Sequence, residues 1–331
     1  MKISHILFAL IIAAPVFGQT KFGVLINGRS YTAKQKAAIA KDSLHVAYVR
    51  DAIIVQNFMS NPQDRSVEAN TKKGLKIILN INWGQGLTPF PTINDTTTYR
   101  KYVGLILDKY PPELVVCENE PINLHFHSGP ISDYLVEYNI CAQECAKRKI
   151  PCTSGGIYGG GLIVPVYRWL KSSGRLPDAS AFEAYLNQRQ LNAAKQGSNE
   201  KIKEMENDVI SILEADKKYG KYANIHPYEP MNVANQQDSN INSITPHILQ
   251  LIQQYIKTEY GLETITNETG QRNNVQPALV TNLLAEYKRL GFPYVIWFSG
   301  EGGDGARSLT DDATGALQPN GKAFRDYIVS H

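Results

Sequence analysis

Beyond its first 18 residues, the 331-residue chain holds no apolar run near the ~20 residues that a bilayer-spanning helix needs. Charge of one sign is also missing. With 34 Lys and Arg against 31 Asp and Glu, the formal net charge is +3, so the composition carries no footprint for nucleic acid or an anionic membrane. Phosphate signatures are absent: FGVLINGRS has no G-x-G-x-x-G, and the loop GEGGDG (300–305) lacks the Lys-Ser/Thr ending of a P-loop. No G-x-S-x-G elbow marks a serine hydrolase, and no repeat appears at solenoid periods. Cysteine is scarce, and its four copies, Cys117, Cys141, Cys145 and Cys152, fall within 36 residues. Cys141 and Cys145 lie four apart in a helical pattern, where a mutual bridge fits poorly. Buried thiols or one cross-link between neighbouring elements both remain open, and the spacing is not a zinc pattern.

What is present begins with Lys2, an apolar run from Ile3 to Phe17, and small residues at Val16 and Gly18. This order predicts a secretory signal spanning 1–18, because the run is too short for a span and is followed by small residues. Its removal would take Lys2 with it and leave a soluble, exported chain of net charge +2, secreted or periplasmic, with no membrane contact.

The rest, 19–331, alternates strand-like and helix-like stretches. The strands are FGVLIN (22–27), LHVAYV (44–49), LKIILNIN (75–82), LVVC (114–117), PCTSGGIYG (151–159), YANIHPY (222–228), LETITNE (262–268) and PYVIWFSG (293–300). Amphipathic stretches at 32–42, 98–110, 131–149, 200–220, 246–261, 275–291 and 322–329 supply helices. Eight strands with helices between them predict a single (β/α)8 TIM barrel; a doubly wound open sheet would need the glycine-rich first turn that is missing. The interval 160–199 is too long for a plain loop and predicts a helical insertion between strands five and six. Tyr158, Tyr167, Trp169, Phe182 and Tyr185 offer it either a cleft wall or a core.

In such a barrel the pocket lies at the C-terminal ends of the strands. Those ends carry Arg50, Trp83, Asn119 with Glu120, His226 with Tyr228, Glu268, and Trp297 with Glu301. Asn-Glu-Pro after strand four, His-x-Tyr at strand six, Glu in TNETG 148 residues beyond Glu120, and Trp at strand eight together resemble the retaining glycoside hydrolases of clan A. The resemblance spans about residues 22–330 and assigns no family within the clan. It implies that Glu120 is the acid/base and Glu268 the nucleophile. It also implies that Asn119 binds the sugar 2-hydroxyl, and that Arg50 and Tyr228 keep Glu268 ionised and oriented. His226, Trp83 and Trp297 become substrate-binding candidates, the two tryptophans as sugar platforms. The chemistry agrees, since retention needs one carboxylic acid and one carboxylate held about 5 to 5.5 Å apart. The implied partner is an oligo- or polysaccharide, bound by a monomer without metal or other cofactor.

Two other readings stay open on sequence alone: a metal-dependent sugar isomerase or epimerase barrel, and a carbohydrate-binding barrel without catalysis. His125 and His127 form an H-x-H that suits loop or substrate contacts better than a metal, having no third ligand nearby. Glu118, Glu229 and Glu301 are spare acids. Asn94 and Asn267 both begin glycosylation triplets, the second of which would block the pocket beside Glu268.

Overall fold

The computed structural model describes residues 19–28, 30–92, 94–196, 199–229, 243–271, 275–300 and 308–331. The expected signal segment and Glu301 therefore lie outside the described residues. Eight principal strands follow: β1 (Lys21–Ile26), β2 (Tyr48–Ile54), β3 (Lys76–Asn82), β4 (Leu114–Cys117), β5 (Cys152–Ser154), β6 (Tyr222–His226), β7 (Glu263–Gln271) and β8 (Tyr294–Ser299). All pairings between them are parallel, in the order β5-β4-β3-β2-β1-β8-β7-β6. Ile157–Tyr158, separated from β5 by Gly155 and Gly156, pairs with β6. The sheet therefore curls round until its two ends meet at successive segments of the fifth strand.

The fifth strand, expected over 151–159, breaks into Cys152–Ser154 and Ile157–Tyr158, the sixth stops at His226, and two further boundary differences bear on the site. The second strand begins at Tyr48 rather than at Leu44, because Leu44 closes a π-helical turn over Ile39–Ser43 and His45 takes a left-handed φ of 57°. Arg50 thus lies inside a strand. The seventh strand runs past Glu268 to Gln271.

Alternation sorts the strands into two faces. Tyr48, Ile78, Leu114, Val116, Tyr222, Ile265, Tyr294 and Ile296 make an inner cluster, with Tyr294 edge-on to both Tyr48 and Tyr222 at 6.0 and 5.7 Å. Lys21 caps that aromatic group, donating to Glu113 at 2.8 Å and lying 4.5 Å from the Tyr294 ring centre. The outer face packs on helices whose apolar residues recur at helical spacing, such as Tyr99, Val103, Ile106 and Leu107 in Thr96–Lys109. Helices Gly159–Ser172, Leu176–Tyr185 and Gln188–Lys195 precede the long helix Glu200–Tyr219. Buried Asp216 of that helix accepts from Tyr138, from Ser154 N–H at 2.9 Å and from Ser154 Oγ at 2.7 Å. It pins two helices to β5. Among the described residues, no helix is long and apolar enough to cross a membrane.

Candidate active site

The aliphatic strands carry polar residues at inward positions near one end, and these hold the site together. Glu120 reaches the mouth because the chain turns abruptly after β4, with φ of 65° at Glu118 and 46° at Glu120. Two non-glycine residues in the left-handed region so close together are costly, at about 1–3 kcal/mol each, and such outliers concentrate at functional sites. The turn is tied back by Asn123, whose N–H donates to the Glu120 carbonyl at 2.8 Å and whose Nδ2 donates to Glu120 Oε2 at 2.6 Å. Below it, His127 Nε2 donates to the Asn119 carbonyl at 2.6 Å.

Glu268 reaches the same mouth by a bulge. Between the pairs Thr266↔Val295 and Thr269↔Trp297, β7 advances three residues while β8 advances two. The extra residue breaks the alternation, so Asn267 enters the interior and Glu268 faces Arg50 from the adjacent position. Thr266 Oγ1 clasps the bulge, donating to the Glu268 carbonyl at 2.9 Å and accepting its N–H at 3.3 Å.

One hydrogen-bond chain then fixes every amide. Arg50 can only donate, so its contact at 3.0 Å makes Asn80 Oδ1 an acceptor. Asn267 Nδ2 donates to the same oxygen at 2.9 Å, which turns Asn267 Oδ1 toward Asn224 Nδ2 at 2.8 Å and His226 Nε2 at 2.7 Å. His226 Nε2 must therefore carry a proton. Its Nδ1 lies 2.8 Å from Glu120 Oε1, where one further proton is shared. On Glu120 that proton loads the acid; on His226 it creates an imidazolium facing both glutamates. Arg50 Nη2 also donates to Asn119 Oδ1 at 2.6 Å, leaving Asn119 oriented to offer its NH2 group.

Glu268 is held differently. Arg50 Nη1 donates to its Oε2 at 2.5 Å, and Tyr228 Oη donates to its Oε1 at 2.5 Å. Burial works to raise its pKa, but the charges of His226 and Arg50, with the hydrogen bonds from Tyr228 and Arg50, leave it below the ordinary carboxylate value. A Glu120 oxygen and a Glu268 oxygen lie within 4.8 Å of each other. Their side chains keep 10 % and 16 % of their surface exposed, so both reach the mouth.

Glu120, His226 and Glu268 are close enough to present three donor atoms to a metal. All four carboxylate oxygens, however, already face Asn123, His226, Tyr228 or Arg50, and the guanidinium occupies the side of Glu268 that a cation would need. The donor set suits an acid and an anion better than a metal.

The structure brings Arg50, Asn119, Glu120, His226, Tyr228 and Glu268 together, and separates both tryptophans from them. Trp297 is 0 % exposed and points to the outer layer, 5.9 Å from Phe324. Trp83 shares the outward parity of Ile77, Leu79 and Ile81, and its 7 % exposed ring lies edge-on to Tyr99 at 5.9 Å. Neither can stack on a sugar; Trp83 instead fixes its loop, donating its backbone N–H to Glu118. Phe298, one residue on, has the inward parity of Tyr294 and Ile296 and is partly exposed. The H-x-H also splits, since His125 is exposed while His127 is buried and stacked on Phe90 at 4.8 Å. Asn94 is exposed, but Asn267 is wholly buried and cannot be a glycosylation acceptor. The sequence offers Asn267 only as a glycosylation triplet and gives no role to Asn80, Asn123 and Asn224, although Asn80 and Asn224 each interrupt an aliphatic strand at an inward position.

Gly156 makes room for the proton relay: a Cβ there would meet His226 Nε2 at 1.9 Å. Gly156→Ala should cost about 1–3 kcal/mol by overpacking and swing His226 off Glu120. Denaturant midpoints and the pH profile of kcat/KM check this, and an unchanged profile would exclude His226 from the relay.

Behind the turn, Glu118 and Glu137 are both 1 % exposed and lie against each other, with Tyr99 beside Glu137 and His127 Nε2 3.6 Å from Glu118 Oε2. Burial pushes Glu118 up to about 7, and burial with the nearby Glu118 charge pushes Glu137 well above the carboxylate range. Folded-state values raised above the unfolded ones mean that stability is full at acidic pH and is lost as pH rises through the folded pKa. Glu137→Gln should therefore gain about 1 kcal/mol or more over the parent chain near pH 8 and nothing near pH 4. Thermal unfolding at the two pH values measures it; parallel pH slopes would show that the pair holds no such proton.

No protein-family model and no curated relative matches the sequence. Solved structures do match in fold. A family 39 glycoside hydrolase from the gut symbiont Bacteroides cellulosilyticus aligns at TM-score 0.58 and 14% identity over 93% of this chain, which spans 63% of that protein's length. A GH128 endo-beta-1,3-glucanase from Amycolatopsis mediterranei, crystallised with laminarihexaose, aligns at 0.55 and 13% over 93% of this chain and 99% of its own. A GH30 endoxylanase from Clostridium papyrosolvens aligns at 0.54 and 10% over 94% and 72%. The curled parallel sheet of this chain thus has the TIM-barrel fold of these glycoside hydrolases.

Proposed function

We propose that the chain is a secreted retaining glycoside hydrolase that cleaves a β-linked glycan by double displacement, and that it acts as an endo-β-glycanase. The observation that carries this reading is the approach of Glu120 and Glu268 to within 4.8 Å, each in a contrasting environment. That separation suits direct attack by a carboxylate; an inverting pair stands about 6.5–9.5 Å apart to admit a water. The fold neighbours that act on polymers, the endo-beta-1,3-glucanase and the endoxylanase, favour endo action on a polysaccharide.

In the first step Glu268 attacks the anomeric carbon while Glu120 gives its proton to the departing oxygen, forming a glycosyl ester and a free alcohol. In the second, Glu120 takes a proton from water, which attacks the same carbon and releases Glu268. Arg50 and Tyr228 hold Glu268 anionic and in line. The Asn119 amide, oriented by Arg50, offers a donor to the sugar 2-hydroxyl, and Phe298 takes the platform role once expected of Trp297.

The test is a panel of β-glucans, xylans, mannans and galactans with purified protein, following the first-formed anomer by NMR. The β-anomer is expected; first-formed α-anomer would overturn the roles given to both glutamates. Saturable glycan binding without turnover would instead favour a binding protein.

A further inference from the structure

All the cysteine in this chain converges on one place. Cys117 ends β4, Cys141 and Cys145 lie one turn apart on the inner face of helix Ile131–Lys147, and Cys152 opens β5; all four are buried and free. The sulfurs of Cys141, Cys145 and Cys152 lie within 4.8 Å of one another, and Cys117 lies against Cys141. The C-x3-C-x6-C spacing hides this, because the third ligand comes from the strand after the helix rather than from the helix itself.

We propose that Cys141, Cys145 and Cys152 form a binding site for a thiophilic d10 cation, Zn2+ or Cu+. A disulfide would consume two of the three sulfurs and strand the third, whereas one cation engages all three. Metal–sulfur bonds of about 2.3 Å place the sulfurs of a site nearly 4 Å apart, so the cluster needs only a small contraction. Three ligands suffice for trigonal Cu+, and Cys117 stands beside Cys141 as a fourth for tetrahedral Zn2+. Each thiol that binds releases one proton to solvent, and no electrons are exchanged. The site lies in the strand–helix layer, independent of the glutamate pair, and ties helix Ile131–Lys147 to β5; β4, which leads to Glu120, joins it through Cys117 in the four-ligand form.

The test uses the full chain, produced under reducing conditions without chelator in zinc- or copper-supplemented medium. Elemental analysis should find about one metal per chain, and its identity separates Zn2+ from Cu+. Cd2+ added to the stripped protein should produce a thiolate-to-cadmium absorption band that saturates at one equivalent and is lost in Cys145→Ser. Should that variant misfold, alkylation of the parent chain in partial denaturant answers instead: Cys141, Cys145 and Cys152 should be protected only with Cd2+. Absence of both metal and band, equal alkylation with and without Cd2+, or an intact mass two hydrogens lower through disulfide formation would overturn the site.

Discussion

Glu268→Gly should lose about 10^4-fold or more in kcat on a β-glycan, the scale expected when the group forming the covalent intermediate is deleted. The variant removes a carboxylate that Arg50 and Tyr228 both address, and leaves Glu120 still able to protonate the leaving oxygen. Azide fits the vacated space and attacks the anomeric carbon in one inversion, so an α-glycosyl azide should accumulate from an activated β-glycoside. Measurement is by NMR of the product. If Glu268→Gly keeps more than about a tenth of the parent rate, Glu268 does not attack the substrate.

Glu120→Ala should have the second-largest effect, and it should depend on the leaving group. General acid catalysis contributes roughly 10^2–10^4-fold. A sugar alkoxide needs the proton and should suffer the full loss, whereas a dinitrophenolate departs without help, so its first step should be nearly normal. Glycosyl-enzyme on Glu268 should then build up for want of a base, and azide should release it as the β-glycosyl azide. The opposite azide stereochemistry in the two variants assigns both residues at once. Equal losses on both leaving groups would remove the acid role from Glu120.

Much of this arrangement could be read before the structure. Asn-Glu-Pro, His-x-Tyr and TNETG stood out because polar groups ended aliphatic runs. The failures came where a residue's face mattered. YVIWF in β8 shows no alternation, since a parallel strand buried on both sides is apolar throughout. Whether Trp297 or Phe298 faces the mouth depends on register against β1, which no local pattern records. Glu268 posed the same problem, because simple alternation cannot send adjacent Asn267 and Glu268 to one side; the bulge does so, and only the pairing with β8 exposes it. Leu44 and Val46 have the look of strand residues, yet they serve the turn before the second strand, which starts only at Tyr48.

The left-handed backbone at Glu120 sets stability against activity. Glycine would occupy φ 46° without strain, so Glu120→Gly should be inactive and also harder to unfold than Glu120→Ala. Drift toward a binding protein would thus run downhill in stability at this position. Glu120 thus keeps its side chain at a backbone cost that glycine would not carry.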